Sequence, residues 1–173
     1  MNYFFTSDTH FGHGNILKYS NRSFDTIEEM DEKLIENWNE IVSKNDTICH
    51  LGDFCMRTDY RKYANRLNGN IVYIRGSHDQ ENWPYMNEFY PNGLKDEFGT
   101  KRLIVLCHYA LRSWPKSHYA SWHLFGHHHG KLDPYGLSFD VGVDCNNYYP
   151  FSLDEIIVKM KTLSPIVDFR RKE

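Results

Sequence analysis

Five short apolar segments in this chain each run directly into a histidine or an aspartate. Residues 3–5 (Tyr3-Phe4-Phe5) lead to Asp8 and His10, and residues 47–51 lead to Gly52-Asp53. Residues 71–74 lead to Gly76-Ser77-His78-Asp79, residues 103–107 to His108, and residues 122–125 to Gly126-His127-His128-His129. Each segment has the length and the β-branched or aromatic content of a buried strand. A single strand ending in a histidine says little, because a lone His108 is commonly satisfied inside a core and Asp8 or Asp53 could serve a turn. Five that end alike point to convergence, since open α/β sheets place their sites in loops beyond the carboxyl ends of their strands.

What lies between these segments sets the fold class. Ile27, Met30, Leu34, Trp38 and Ile41 recur at three- and four-residue intervals, which predicts an amphipathic helix over 26–44, opened by Asp25 with Glu28 three residues on. A shorter helix is expected over 59–67, so the first half reads β-α-β-α-β and the fold as α/β. The second half is denser in strands, with one or two more expected within 136–143. Ser152 and Glu155 form a capping box that opens a last helix to about residue 162. Arg170-Arg171-Lys172-Glu173 reads as a solvated tail. No repeat or linker divides the 173 residues, which are expected to form one domain, 1–173.

The formal charge of −3 leaves no general basic face for nucleic acid. Positive charge for an anionic substrate must then be local, and bound metal ions are one source of it. The four cysteines show no Cys-x-x-Cys pair, the N-terminus has no signal-peptide pattern, and no apolar run approaches a membrane span. The expected location is the cytoplasm, with reduced thiols.

Asp8, His10, Asp53, His108, His127 and His129 are more ligand candidates than one ion needs. Two adjacent ions sharing a carboxylate fit them better. Mixed carboxylate and imidazole donors suit Mn²⁺, with Fe²⁺, Zn²⁺ or Ni²⁺ as alternatives, over Ca²⁺ or Mg²⁺. Side chains two apart in extended chain point the same way, so Asp8/His10 and His127/His129 are each expected to face one pocket, with His128 turned away. His13 and His50 lie close enough in sequence to support the ligands from behind. Trp83, Tyr85, Tyr109, Trp114, Tyr119 and Trp122 could stack a nucleobase, although packing is the commoner use of such residues.

The ordered blocks Asp8-Thr9-His10, Gly52-Asp53, Gly76-Ser77-His78-Asp79, His108 and Gly126-His127-His128-His129 resemble the calcineurin-like metallophosphoesterase family. Val141-Gly142-Val143-Asp144 is similar to a closing strand of its small bacterial and phage members. The resemblance implies a four-layer αββα sandwich with two mixed sheets and a dinuclear site at one edge. By matching positions, Asp8, His10, Asp53 and His129 would hold the first ion. Asp53 would bridge to a second, held also by His108, His127 and the residue at position 77. A hydroxide activated by the ions would attack phosphorus in line, and His78 would protonate the leaving oxygen, with Asp79 orienting its imidazole. Ser77 stands where the family usually has an Asn ligand, and a hydroxyl is a shorter and weaker donor. The implied activity is hydrolysis of a small phosphomonoester or phosphodiester, including nucleotide-type substrates.

Two other readings are distinguishable by residue. A metallo-β-lactamase-type site beginning at His127 would need Asp at 131 and His at 132, where the chain has Lys131 and Leu132. A catalytically weakened scaffold, acting as a protein-interaction module, would have no use for a proton donor, yet His78-Asp79 is intact.

Overall fold

The computed structural model describes residues 1–56, 59–79, 82–96 and 98–166, so the expected tail at 170–173 lies outside the described residues. In chain order the elements are β1 (Tyr3–Thr6), α1 (Ile16–Tyr19), α2 (Ile27–Ile41), β2 (Thr47–His50), α3 (Arg61–Ala64), β3 (Asn70–Tyr73), β4 (Met86–Phe89), β5 (Ile104–Cys107), β6 (Trp122–Phe125), β7 (Ser138–Asp140), β8 (Phe151–Ser152) and α4 (Leu153–Met160). They build two four-stranded sheets, ordered β3-β2-β1-β8 and β4-β5-β6-β7. β1, β2 and β3 are parallel, as are β5, β6 and β7, while β8 and β4 each add an antiparallel edge. This is the α/β architecture of two mixed sheets that the resemblance implies. Strand direction is what matters for the site: in each sheet the three parallel strands end on the same side.

The alternation of side chains along β1 and β2 sorts the core. Phe5 and Cys49 face the space between the sheets and join Ile104, Leu106, Leu124 and Phe139 there. Phe4 and Ile48 point the other way and meet Trp38 and Val42 at the end of α2. Burying a side chain as large as Trp38 stabilises by roughly 1.5–3 kcal/mol, and its indole N–H is not wasted, because it donates to the Asn68 carbonyl at 2.9 Å. Beyond the strand ends a further cluster, including Phe11, Phe54 and Tyr63 with Met30 and Leu34 of α2, supports the loops that carry the ligands.

The predicted starts and lengths need small corrections. Helix α2 is capped by Thr26, whose hydroxyl accepts from the Glu29 N–H, while the Glu29 carboxylate reaches back to the Asp25 N–H. The capping pair is therefore shifted by one residue from Asp25/Glu28, because the hydroxyl of Thr26 is the group that reaches the third helical N–H. The capping box of Ser152 and Glu155 is as expected. Strand β4 has no apolar run to announce it and is held by its ladder to β5. Within 136–143 there is one strand, β7, followed by an isolated bridge from Ser7 to Gly142 that joins the two sheets at the end where the ligands lie.

Candidate metal centre

Asp8, His10, Asp53, His127 and His129 all have positive φ, between 50° and 70°. A left-handed backbone costs roughly 1–2 kcal/mol for a residue with a Cβ, so neighbouring bonds must impose it. They do. Asp8 N–H donates to the Gly52 carbonyl and His10 N–H to the Asp53 carbonyl, each at 3.0 Å. The Asp8 carboxylate accepts from His127 N–H at 3.1 and 2.9 Å, which couples the loop after β1 to the loop after β6. The backbone at Asp8, His10, His127 and His129 is thus left-handed and not extended, and while Asp8 and His10 fall in one ligand group, His127 and His129 are divided between two. Gly126 has to lack a Cβ, since one would run into Ser7 Oγ and the Asp8 carboxylate.

Two groups of ligand atoms result, Asp8/His10/His129 and Asp53/His108/His127, with the atoms of each within 4.8 Å of one another. Asp53 Oδ2 lies between them, 3.4 Å from His108 Nε2 and 3.7 Å from His10 Nε2. His10 Nε2 and His108 Nε2 are buried and have no hydrogen-bond partner among the described residues. An unsatisfied buried donor or acceptor costs about 1–3 kcal/mol, and a divalent cation between these nitrogens and the carboxylates would satisfy both. The residues fit the metal ions that the sequence implies.

The charges are set accordingly. Burial pushes the Asp8 carboxyl up to about 7, against the opposing pull of His108 and His129. Burial also acts to raise Asp53, but the facing His108 imidazole and the His78 N–H, which donates to Oδ1 at 2.8 Å, hold it well below the usual carboxylate range. Burial drives the His10 imidazole down to about 2, which keeps it neutral with a lone pair to offer. His108 and His129 are also pulled down by burial, yet the carboxylates beside them raise both on balance.

Behind the candidate ligands, three of the four imidazoles are oriented through their other ring nitrogen. His108 Nδ1 meets the Leu51 carbonyl at 2.8 Å, His129 Nδ1 meets Asp144 Oδ2 at 2.7 Å, and His10 Nδ1 lies 3.4 Å from His13 Nδ1. His50 is fully buried and kept neutral by it, with its pKa driven down to about 3. Gly52 N–H donates to His50 Nδ1 at 3.3 Å, and Thr9 Oγ1 lies 3.0 Å from Nε2. The Thr9 hydroxyl in turn donates to the Phe54 carbonyl at 2.8 Å. That assigns the His50 proton to Nε2 and joins the loop carrying Asp8 and His10 to the loop carrying Asp53. His13 lies beside His10, and His50 lies between the loop carrying Asp8 and the loop carrying Asp53.

The residues from 76 to 79 behave differently from expectation. The Asp79 carboxylate accepts from the backbone N–H groups of Asp53, Phe54 and Gly76 at 2.8, 2.9 and 2.8 Å. Its oxygens are used on the backbone, so Asp79 holds the Asp53 loop in shape instead of orienting the His78 imidazole. The His78 side chain is 42% exposed at the rim, with Nε2 3.9 Å from Asp53 Oδ2. Ser77 Oγ donates to Asp53 Oδ2 at 3.0 Å, so the hydroxyl bonds directly to the shared carboxylate. Gly76 is required by close approach: a Cβ there would strike the backbone and carboxylate of Asp53.

Of the aromatics, Trp114 and Trp122 are buried and Trp83 stacks on Tyr73, with ring centroids 4.2 Å apart. Tyr85 and Tyr119 are exposed, and Tyr109 is partly exposed with its ring 5.0 Å from those of both His108 and His127. His128 contacts Phe125 and lies in neither ligand group. Sequence reasoning did not find Arg22, which sits 4% exposed behind Asp8 and Thr9. It lies in a polar loop with no local pattern. Among the described residues, no helix is long and apolar enough to cross a membrane.

Comparison with known proteins bears on the family and the fold. The chain is 38% identical over 165 residues to an uncharacterized protein of Methanocaldococcus jannaschii, covering 89% of this chain and 88% of that one. It is 42% identical over 52 residues to the gene 66 protein of Mycobacterium phage L5, which is 30% of this chain and 25% of that protein. The crystal structure of a protein of unknown function from Aquifex aeolicus shares the fold, with a TM-score of 0.68 at 21% identity over 91% of this chain and 98% of that one. Residues 1–157 match the calcineurin-like phosphoesterase family. With that match over most of its length, and with the ligand groups at the ends of its strands, the chain belongs to the calcineurin-like phosphoesterase family.

Proposed function

We propose that the chain is a metal-dependent phosphoesterase that hydrolyses a small phosphomonoester or phosphodiester, including nucleotide-type substrates, at a dinuclear centre. The observation that carries this is Asp53, whose carboxylate lies between two ligand groups that each contain a buried Nε2 without a hydrogen-bond partner among the described residues. Two divalent ions, Mn²⁺ first among the candidates, supply charge to neutralise a phosphoryl group and to lower the pKa of an attacking water. Asp8, His10 and His129 would hold one ion, His108 and His127 the other, with Asp53 shared. Ser77 and the His78 N–H fix the orientation of the shared carboxylate. His78 is placed at the rim, where its imidazole can give a proton to a leaving oxygen. Intact ligands and an available proton donor favour the enzyme over a scaffold. The test is a panel of Mn²⁺, Ni²⁺, Zn²⁺ and Mg²⁺ against aryl monoesters, aryl diesters and cyclic nucleotides. No turnover above the metal-only blank anywhere in the panel would count against an enzyme.

Proton competition gives one expected result. A cation at Asp8 must displace a proton that the carboxyl holds up to a pH of about 7. Mn²⁺ affinity at that group should therefore fall by at least about tenfold per pH unit below 7, more steeply where the His129 imidazole, whose pKa is also raised, is protonated too, and level off once both have lost their protons. Calorimetric titration from pH 5.5 to 8 reads this directly, and a flat profile would refute it.

Position 77 gives another. Ser77→Asn would place a carbonyl oxygen beside the second ligand group, at the expense of the hydroxyl bond to Asp53. The Mn²⁺ concentration for half-maximal activity should drop by about tenfold, equivalent to ~1.4 kcal/mol. Unchanged metal binding and activity would mean that the hydroxyl bond to Asp53 already completes the site.

A further inference from the structure

Arg22 is a buried cation that no step of the proposed reaction uses. Its side chain is wholly shielded from solvent, and burying an unpaired charge costs several kcal/mol. Its partners explain how it is tolerated. Nε donates to Asp144 Oδ1 and Nη2 to Asp144 Oδ2, both at 2.8 Å, in a two-pronged pairing. Nη2 also donates to the Asp8 carbonyl at 2.6 Å, while Nη1 faces the Thr9 carbonyl at 3.1 Å and Met30 Sδ at 3.3 Å. All five N–H groups are thereby directed at protein acceptors, so Arg22 has nothing left for a substrate phosphate.

What the guanidinium does hold is Asp144, and Asp144 in turn meets His129 Nδ1 at 2.7 Å. Asp144 lies in the 3₁₀ turn Val143–Cys145, which follows β7, and the Val143 N–H donates to the Ser7 carbonyl at 3.0 Å. One connected set of bonds therefore joins the loop after β1, the loop after β6 and the turn after β7.

We propose that Arg22 and Asp144 are positioning residues for the first ligand group: the Asp144 carboxylate, fixed by the Arg22 fork, holds the His129 proton on Nδ1 and so leaves Nε2 with the lone pair a metal ion needs. The same fork sets the distance between Asp8 and His129 by gripping the Asp8 carbonyl. The inference rests on the metal-centre reading above. It goes beyond that reading by making the affinity of one of the two ions depend on a buried arginine that contacts neither.

The experiment titrates Mn²⁺ alone into the metal-free full chain, with calorimetry for the two affinities and electron paramagnetic resonance for coupling between the ions. Wild type should bind two Mn²⁺ and show exchange coupling. Asp144→Asn puts an amide against Nδ1 and should weaken one of the two ions by about 10–100-fold, leave the other unchanged, and give an uncoupled single-ion spectrum at one equivalent. Adding Asp144→Asn to His129→Ala should then cost nothing beyond His129→Ala alone. If Asp144→Asn does not fold, Arg22→Lys keeps the charge but loses the fork and should show the same selective loss. Wild-type affinities at both ions in these variants would overturn the proposal while leaving the metal centre intact. Equal weakening of both ions with a lower melting temperature of the metal-free protein would show a structural role only, and also overturn it. A wild-type chain that binds no Mn²⁺ would sink the metal-centre reading itself, and this inference with it.

Discussion

Asp53→Asn should abolish phosphoesterase activity, by on the order of 10³-fold or more, while the protein stays folded. The carboxylate is the group that both ligand sets approach, at 3.4 Å from His108 Nε2 and 3.7 Å from His10 Nε2. An amide has the same shape but no negative charge, and one of its two termini is a donor. Its N–H₂ would face at least one of the imidazole nitrogens that now point at an acceptor. The fold is expected to survive because the backbone bonds of this residue do not involve the side chain: its N–H stays on Asp79 and its carbonyl stays on the His10 N–H. Metal content by elemental analysis should fall with the rate, and circular dichroism should be unchanged. Full metal loading with near-normal turnover would eliminate Asp53 as a shared ligand. Asp8→Asn should act in the same direction, by removing the carboxylate from the other group.

His78→Ala should lose rate according to the leaving group. A positioned general acid contributes about 10²–10⁴-fold where the departing oxygen needs a proton. Alkyl phosphoesters should therefore suffer a loss of that size, while an aryl ester of an acidic phenol should lose much less. The placement supports this use, because the imidazole is 42% exposed at the rim and its Nε2 is 3.9 Å from the shared carboxylate. The hydrogen bond from His78 to Asp53 comes from its backbone N–H, and the substitution keeps that bond. Equal losses on both kinds of substrate would mean that His78 holds phosphate or metal instead. Asp79→Asn offers a contrast: because Asp79 grips the backbone of the Asp53 loop, its loss should lower metal binding and stability together, without regard to the leaving group.

Much of the scaffold was legible because strand and helix signals are local. Short, mostly apolar segments of three to five residues announced β1, β2, β3, β5 and β6, and a 3.6-residue period announced α2. Where no local signal exists, reading failed. Met86–Phe89 has weak β character of its own and becomes β4 through its pairing with β5. The helix start moved from Asp25 to Thr26 because two adjacent residues could each cap, and only the three-dimensional path of the chain selects between them.

The ligand residues were likewise readable, since a strand end is a place and Asp or His is a chemistry. From the sequence came the six ligand candidates and the glycines at 76 and 126 beside them, and from the family resemblance the proposed proton donor at 78. Tertiary structure decided how those groups are divided and held. Five of the candidate ligand residues sit on left-handed backbone, a conformation that no periodicity announces. Asp79 lies next to His78 in sequence, yet its oxygens go to backbone N–H groups on the neighbouring loop, because three convergent donors outcompete one imidazole. Arg22 and Asp144 are 122 positions apart. Their pairing exists because the loop after α1 and the turn after β7 come to lie under the same two ligand loops. A local pattern can specify which residues a strand delivers to its end, but contacts between distant loops are settled only when the two sheets pack.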